Sequence, residues 1–422
     1  MSDKKIKILT LSDHPLSPSG VGNQTKYFIV ELLKTGKFQF ISLGGAIKHD
    51  NYQPVKVEEF GDDWVIYPVD GYGNQETIRS LLRTQKPDIL WFMTDPRFYK
   101  WLWEIENEIR SLVPMVYYHV WDNFPYPVFN KVWYDSTDAI ATISKLTSNI
   151  VKTVSPGVKE KYIPHAVPSE LFAPLGESER RKFRKDNFNL NDDDFLLFWN
   201  IRNARRKQSG SLVFWYNDFL QKFKKKHKGK KVRLLMHTEP RDPNGQDLYA
   251  IAKNLGFEDE YIISTQKLPP QQLAALYGAA DATIGISDAE GFGLSTFESL
   301  SCETPIIVTM TGGLQEQVTS IKTVSQASTL KRNSKSDKIT VYEHGIGIEP
   351  SSKAIIGSQE VPFIYEDRLD GSDVSKAMMM MYELGKEKRK ELGANGRKHV
   401  IENYGFEKFA KSWEQFITKV HK

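Results

Sequence analysis

The sequence predicts an α/β protein made of two parallel-sheet domains, and three observations carry that prediction. The chain has 422 residues, 40% of them hydrophobic and 12% aromatic, about twice the length of an ordinary domain of 100–200 residues. Short apolar runs alternate with amphipathic stretches from residue 6 to 144 and again from 195 to 309, the pattern of strands joined by helical crossovers. Between the two series, Tyr162 to Pro174 packs three prolines into a stiff connector.

Taken in order, Ile6 to Ser12 is the opening strand, and Pro15, Pro18, Gly20 and Gly22 break it before apolar residues recur at helical spacing from Asn23 to Leu33. Gly36 suits the end of that helix. Phe38 to Leu43, Ile89 to Thr94, Met115 to His119 and Ala139 to Ser144 read as further strands, the third of these entered through Pro114. After the connector, strands are expected at Phe195 to Ile201, Val232 to His237, Tyr261 to Ser264, Ala282 to Ser287 and Pro305 to Thr309. Helices are expected at Ser211 to Phe223, Gln246 to Leu255, Pro270 to Ala279 and Gly293 to Cys302. Residues 319–337 are rich in Ser, Thr, Lys and Gln and read as a surface insertion; Ser372 to Leu384, Lys386 to Glu402 and Phe406 to Val420 are helical.

Composition excludes several classes. Fifty-seven basic and 53 acidic residues leave a net charge of +4, too balanced for wholesale nucleic-acid binding. A single cysteine, Cys302, cannot form an intramolecular disulfide or a thiolate zinc cluster, and no histidine spacing suggests a metal. With no apolar stretch near the roughly 18 residues of a membrane span and no signal-like leader, a cytoplasmic protein is expected. The basic run from Lys222 to Lys231 sits at a predicted helix end, where cations complement the dipole; peripheral contact with an anionic membrane is the second reading. Asp192-Asp193-Asp194 precedes a strand rather than ending one and reads as a solvated loop.

The most informative segment is Asp281 to Glu298. A strand ends, Gly291 and Gly293 turn the chain, and a helix starts, so the amides near Phe292 to Ser295 lack intrahelical acceptors and suit a phosphate or a sugar hydroxyl. Glu290 and Glu298 can border one site as acceptors for hydroxyl groups. Taken alone, these glycines are better explained by the capping of a strand, and Glu298 by its preference for the first helical turns. Upstream, the strand from Phe195 runs into Arg202-Asn203-Ala204-Arg205-Arg206-Lys207, a cluster of cations that suits a diphosphate or a solvated turn.

Glu290 and Glu298 with seven residues between them, enclosing Gly-Phe-Gly, resemble the signature of the family-4 retaining glycosyltransferases of the GT-B fold. Ala279-Ala280-Asp281 before the strand, Thr304 to Ile307 after the helix, and Thr311-Gly312-Gly313 with Glu316 extend the resemblance. It implies two Rossmann-like domains facing each other across a cleft: residues 1–170 for the acceptor, 171–403 for the nucleotide-sugar, and 404–422 as a helix packing back on the first. It further implies that Glu290, Gly291 and the amides of Phe292, Gly293 and Leu294 address the donor sugar and phosphate, that Glu298 holds ribose, and that Arg202 and Lys207 hold the diphosphate. Arg205 or Arg206 can replace Arg202 in that register.

In the first domain, Ser17 to Gly22 resembles the family's glycine loop, so Gly20 and Gly22 are expected at the donor diphosphate. A nicotinamide fingerprint does not fit, because Thr25 stands where its third glycine belongs. The resemblance implies that His119, at the end of its strand, hydrogen-bonds the donor sugar; its other reading is a histidine packed structurally, and Trp121, Phe124 and Tyr126 are expected to stack on the acceptor or to pack their own loop. The resemblance implies transfer of a sugar from a UDP- or GDP-linked donor to a hydroxyl of a glycan, lipid or protein-linked acceptor. No carboxylate presents itself as a nucleophile, so front-face substitution with a diphosphate leaving group is expected, and no metal or other cofactor. A GT-B sugar-nucleotide epimerase and a non-catalytic sugar-nucleotide-binding module are the alternatives.

Overall fold

The computed structural model describes residues 4–122, 126–257, 259–320 and 338–422. Its contacts divide the chain into two compact units, one formed by residues 1–166, 357–363 and 406–422, the other by 167–356 and 364–405.

In the first unit, eight strands form one sheet: β1 (Ile6–Asp13), β2 (Phe38–Gly45), β3 (Val55–Lys56), β4 (Trp64–Pro68), β5 (Ile89–Met93), β6 (Met115–His119), β7 (Ala139–Thr142) and β8 (Lys159–Tyr162). Their spatial order is β3-β4-β2-β1-β5-β6-β7-β8, and every pairing except β3 with β4 is parallel. Central strands such as β5 are buried along their whole length, as a parallel sheet covered on both faces requires. The helix Gly20–Leu33 lays Phe28 on Trp91, ring centroids 4.4 Å apart, and Trp413 from the helix Phe406–His421 meets the same Phe28 ring edge-on at 4.7 Å. Fully burying one such apolar side chain contributes about 1.5–3 kcal/mol.

The second unit has a seven-stranded sheet of β9 (Phe195–Trp199), β10 (Val232–His237), β11 (Tyr261–Ser264), β12 (Ala282–Gly285), β13 (Ile306–Thr309), β14 (Ile339–Val341) and β15 (Gly345–Ile348). The order is β11-β10-β9-β12-β13-β15-β14, parallel except for β14. A separate antiparallel ribbon pairs β16 (Ser352–Ile356) with β17 (Ile364–Arg368). The α/β class with two parallel sheets is thus the one the alternation predicts.

Several details differ from the sequence expectation. The helix expected from Asn23 begins at Gly20, because Ser19 caps it by accepting from the Gly22 amide at 2.9 Å. β4, β8, β15 and the ribbon were not foreseen, nor was the helix Glu177–Phe188, whose Arg184 is wholly buried. Asp194 is not a solvated loop residue: it is buried, and its carboxylate accepts from the amides of Asn191 at 2.7 Å and Lys231 at 2.8 Å. The greater part of the 319–337 insertion lies outside the described residues.

Candidate functional site

Parallel sheets leave loops beyond their strand ends, and the sequence-singled residues of the second unit gather there. β9 delivers Asn200 to Gln208, β12 delivers Asp288 to Gly293, and β13 delivers Thr311 to Gly313. Lys207 Nζ meets the Glu290 carboxylate, while Arg206 donates to the carbonyl of Ala289 and accepts, through its own carbonyl, the Asp288 amide at 2.8 Å. Burial alone would push Glu290 up, but the charges of Lys207 and Arg206 outweigh it and hold this acid below the usual carboxylate range.

Two glycines build the turn around Glu290. Gly312, at φ +48°, lies so close that a Cβ there would strike the Glu290 carbonyl, and the Gly313 amide donates to that same oxygen at 3.0 Å. Gln317 then takes up the opposite face of the turn, donating to the carbonyls of Phe292 at 2.6 Å and Gly293 at 3.0 Å. Gly293, at φ +90°, starts the helix Leu294–Ser301 without any side-chain cap. Carbonyls are therefore tied down and, among the described residues, the amides of the first turn have no side-chain acceptor, an arrangement that stabilises an anion or a hydroxyl oxygen.

Glu298 lies on the same helix, one turn beyond its start. It is partly buried and accepts from the Tyr277 hydroxyl at 2.9 Å, which in turn accepts from Asn200 Nδ2 at 2.8 Å. Burial raises Glu298 to about 7, more than the Tyr277 hydrogen bond lowers it. Asp288, raised by burial to about 6, receives Gln208 at 2.5 Å and Arg368 at 2.7 Å. Glu366 receives Arg205 through both guanidinium nitrogens, at 2.9 and 2.6 Å. β17 thereby braces the end of β12 through ion pairs and through the Asp367 amide donating to the Asp288 carbonyl at 2.8 Å.

The structure thus brings Lys207, Glu290, Gly291, Phe292, Gly293, Leu294 and Glu298 into one neighbourhood, with Arg206 beside them. Arg202 stands apart: its side chain is 65% exposed and pairs with Asp242 at 2.6 Å. Among the residues that sequence reasoning missed, Asn200, Tyr277 and Gln317 have no motif of their own. Asn200 falls inside the strand expected from Phe195 to Ile201, and only the observed end of β9 at Trp199 places it in the loop.

In the first unit, Asp13 at the end of β1 accepts from Ser19 at 2.6 Å and Tyr72 at 2.8 Å. Gly20 and Gly22 form the first helical turn, and a Cβ on Gly22 would lie 2.7 Å from the His14 carbonyl, so glycine lets the 14–17 loop fold onto the helix. His119 is fully enclosed, with Nε2 2.6 Å from the Tyr134 hydroxyl, and burial pushes it down to about 3. That is the packed placement, neutral and without exposed surface. Trp121 is buried against Phe129, ring centroids 5.9 Å apart, and Tyr126 is partly buried. Phe124 lies outside the described residues.

In the basic run, Lys222, Lys224, Lys226 and Lys230 pair with Asp218, Glu260, Glu383 and Asp193, which offsets part of its surface charge, while Lys225, Lys228 and Lys231 are exposed. Among the described residues no helix is long and apolar enough to cross a membrane.

Comparison with known proteins bears on the fold and on one segment of the second unit. Residues 216–336 match the family described as Glycosyl transferases group 1. Over 81 residues the chain is 40% identical to D-inositol 3-phosphate glycosyltransferase of Acidothermus cellulolyticus, covering 19% of this chain and 17% of that protein. Over 171 residues it is 26% identical to alpha-monoglucosyldiacylglycerol synthase of Streptococcus pneumoniae, covering 40% of this chain and 37% of the relative. The aligned parts are thus well under half of these relatives' lengths. Sucrose-phosphate synthase from Thermosynechococcus elongatus superposes with a TM-score of 0.71 at 15% identity, over 99% of both chains. Anabaena HepE in complex with UDP and glucose superposes at 0.67 with 12% identity, over 98% of this chain and 100% of that one. The likeness to these structures shows the GT-B fold, and what is similar to the group 1 glycosyltransferases is the segment 216–336.

Proposed function

We propose that this protein is a retaining, family-4-like glycosyltransferase that moves a sugar from a nucleoside-diphosphate donor to a hydroxyl acceptor. The observation that carries the reading is the junction of Lys207, Arg206 and Glu290 beside the uncapped helix start at Gly293, with Glu298 one turn further on. Cations and amides converge there on the place where a leaving group's charge would develop, and the two acids supply acceptors for hydroxyls.

In this reading Lys207 and Arg206 hold the diphosphate, and Arg202 joins them only after leaving Asp242. Glu290 and the amides from Phe292 to Leu294 orient the sugar, and Glu298 takes the ribose hydroxyls. The bond between the anomeric carbon and the diphosphate oxygen breaks, and that oxygen takes the electron pair. The acceptor oxygen bonds to the same face of the carbon, and its proton passes to the departing phosphate. The products are a glycoside of unchanged anomeric configuration and a nucleoside diphosphate. Gly20 and Gly22 form the first-unit element proposed to approach the diphosphate, and Trp121 and Tyr126 mark the segment proposed to lie nearest the acceptor. The partial likeness to a glycolipid synthase and to an inositol phosphate glycosyltransferase makes lipid and polyol acceptors the first to try.

The donor is found by thermal shift with UDP-, GDP-, ADP- and dTDP-sugars, since only a ligand of the native state raises the melting temperature. The UDP-sugars come first because HepE was solved with UDP and glucose. With that donor, Lys207→Ala should lower kcat by about 10²- to 10³-fold, the cost of removing one charge-stabilising donor, with an unchanged circular dichroism spectrum. A wild-type rate removes Lys207 from the leaving group, and a β-linked product from an α-linked donor, read by NMR, overturns retention.

A further inference from the structure

The second unit's sheet has a second concave feature at its other edge, where strands begin rather than end. A cavity of about 290 Å³ opens there, lined by residues that precede β12 and β13, such as Ala280, Asp281, Thr304 and Pro305. β12 has four residues, so about 13 Å of strand separates this edge from the loops around Glu290. We propose that the cavity is a binding site for a phosphorylated sugar or polyol, separate from the candidate site.

The first reason is a surplus of positive charge at depth. Asp281 is almost fully buried and faces three guanidinium groups: Arg180 at 2.9 Å, Arg184 at 2.8 Å and Arg389 at 3.6 Å. One carboxylate cannot neutralise three cations, two of which, Arg180 and Arg389, line the cavity. Burial is the main influence pushing Arg389 below the ordinary arginine value; Asp281 opposes it, while Arg180 and Arg184 add to it. A bound anion relieves that crowding, and guanidinium forks match phosphate oxygens in geometry.

At the mouth the charges balance, three cations standing against Asp192, Glu177 and Glu303, so the surplus is confined to the depth of the cavity. Arg181 and Lys386 share a single acid, Asp192, at 3.7 and 3.2 Å, and Lys390 pairs with Glu177 on the rim. Asp192 also explains why a bare phosphate is not the best fit. Its buried Oδ1 has no hydrogen-bond partner among the described residues, and a ligand hydroxyl donating to it would satisfy an acceptor that is otherwise costly to bury. Pro174, Leu175 and Pro305 give the cavity an apolar wall for a carbon skeleton. The volume stands at the low end of small-molecule sites, about 300–1,000 Å³, which suits one sugar ring with its phosphate.

The test is calorimetric titration of the full chain with ribose 5-phosphate, ribose and inorganic phosphate. The proteins are the wild type, the Arg181→Ala/Lys386→Ala/Lys390→Ala variant and Lys207→Ala. The three mouth cations are 56%, 37% and 46% exposed, so their removal leaves the core intact; Lys390→Gln alone gives a smaller loss in the same direction. Ribose 5-phosphate should bind the wild type with Kd near or below about 1 mM. Binding should weaken at least tenfold in the triple variant and stay unchanged in Lys207→Ala, with inorganic phosphate weaker and ribose undetected. The proposal falls if ribose 5-phosphate does not bind, if the triple variant binds it as well as the wild type, or if Lys207→Ala abolishes binding. Inorganic phosphate or ribose binding as tightly as ribose 5-phosphate equally overturns the assignment.

Discussion

Replacing Glu298 by Gln should make the ligand-free protein more stable at alkaline pH while weakening its hold on a nucleotide. Burial raises Glu298 from 4.5 to about 7. Between those values the native state keeps the proton that the unfolded chain has already shed, so stability is complete below 4.5 and declines as pH rises through 7. At roughly 1.4 kcal/mol for each tenfold change, the whole loss is about 3 kcal/mol. Gln cannot ionise, yet it keeps an acceptor for the Tyr277 hydroxyl. Urea titrations at pH 5 and pH 8 should therefore show Glu298→Gln close to the wild type at the lower pH and about 2–3 kcal/mol more stable at the higher. Nucleotide affinity should move the other way, because hydrogen bonds to a charged acceptor are worth about 1.5–3 kcal/mol each. A stability difference that does not grow with pH, or a variant less stable at pH 8, would refute the claim that burial of this charge strains the site. Unchanged nucleotide affinity would remove it from the ribose.

Gly312→Ala should cost about 1–3 kcal/mol in urea denaturation, because φ +48° and the Glu290 carbonyl both oppose a Cβ; an unmoved midpoint would show that the turn is not held as described. His119 and His165 are both pushed down to about 3 by burial, so their contribution is present above about 6.5 and is lost as pH falls from there towards 3, by up to about 1.4 kcal/mol per pH unit for each. The denaturation midpoint should decline below pH 6.5 in the wild type and less steeply in His119→Gln/His165→Gln, and equal slopes would contradict the assignment. Asp281→Asn should destabilise by about 3–5 kcal/mol, since it strands Arg184 in the interior without its carboxylate; a near-neutral effect by thermal melting would mean that the backbone carbonyls around Arg184 suffice.

Strands such as β5 and β9 could be read from the chain because a strand buried on both faces is apolar throughout. β8, Lys159–Tyr162, escaped notice for the opposite reason: it is an edge strand, half in solvent, and its Lys-Glu-Lys-Tyr sequence carries the charges that protect an edge from pairing further. The pair Glu290 and Glu298 was legible because a turn and a helix start lie between them, so their proximity is local. Tyr277 was not, since it reaches Glu298 only once two helices have packed. Four cations within six residues, Arg202 to Lys207, left the register open, and the fold resolved it by sending Arg202 to Asp242 and Lys207 to Glu290. His119 was assigned by its strand end together with the family resemblance. Nothing in the sequence around it announced Tyr134, whose hydroxyl occupies its Nε2.

The helix Phe406–His421 has a consequence for biosynthesis. Trp413 inserts among Phe28, Trp91 and Tyr118, at the heart of the first unit, yet the ribosome reaches it only after translating every strand of the second. Until then the nascent amino-terminal sheet carries an apolar scar where an indole belongs, and the later-made unit, whose described core cluster holds no residue of that helix, is free to mature first. A stop codon placed just before Phe406 should therefore yield a chain whose damage falls at the opposite end of the gene from the lesion, with the earliest-made strands the most prone to clump.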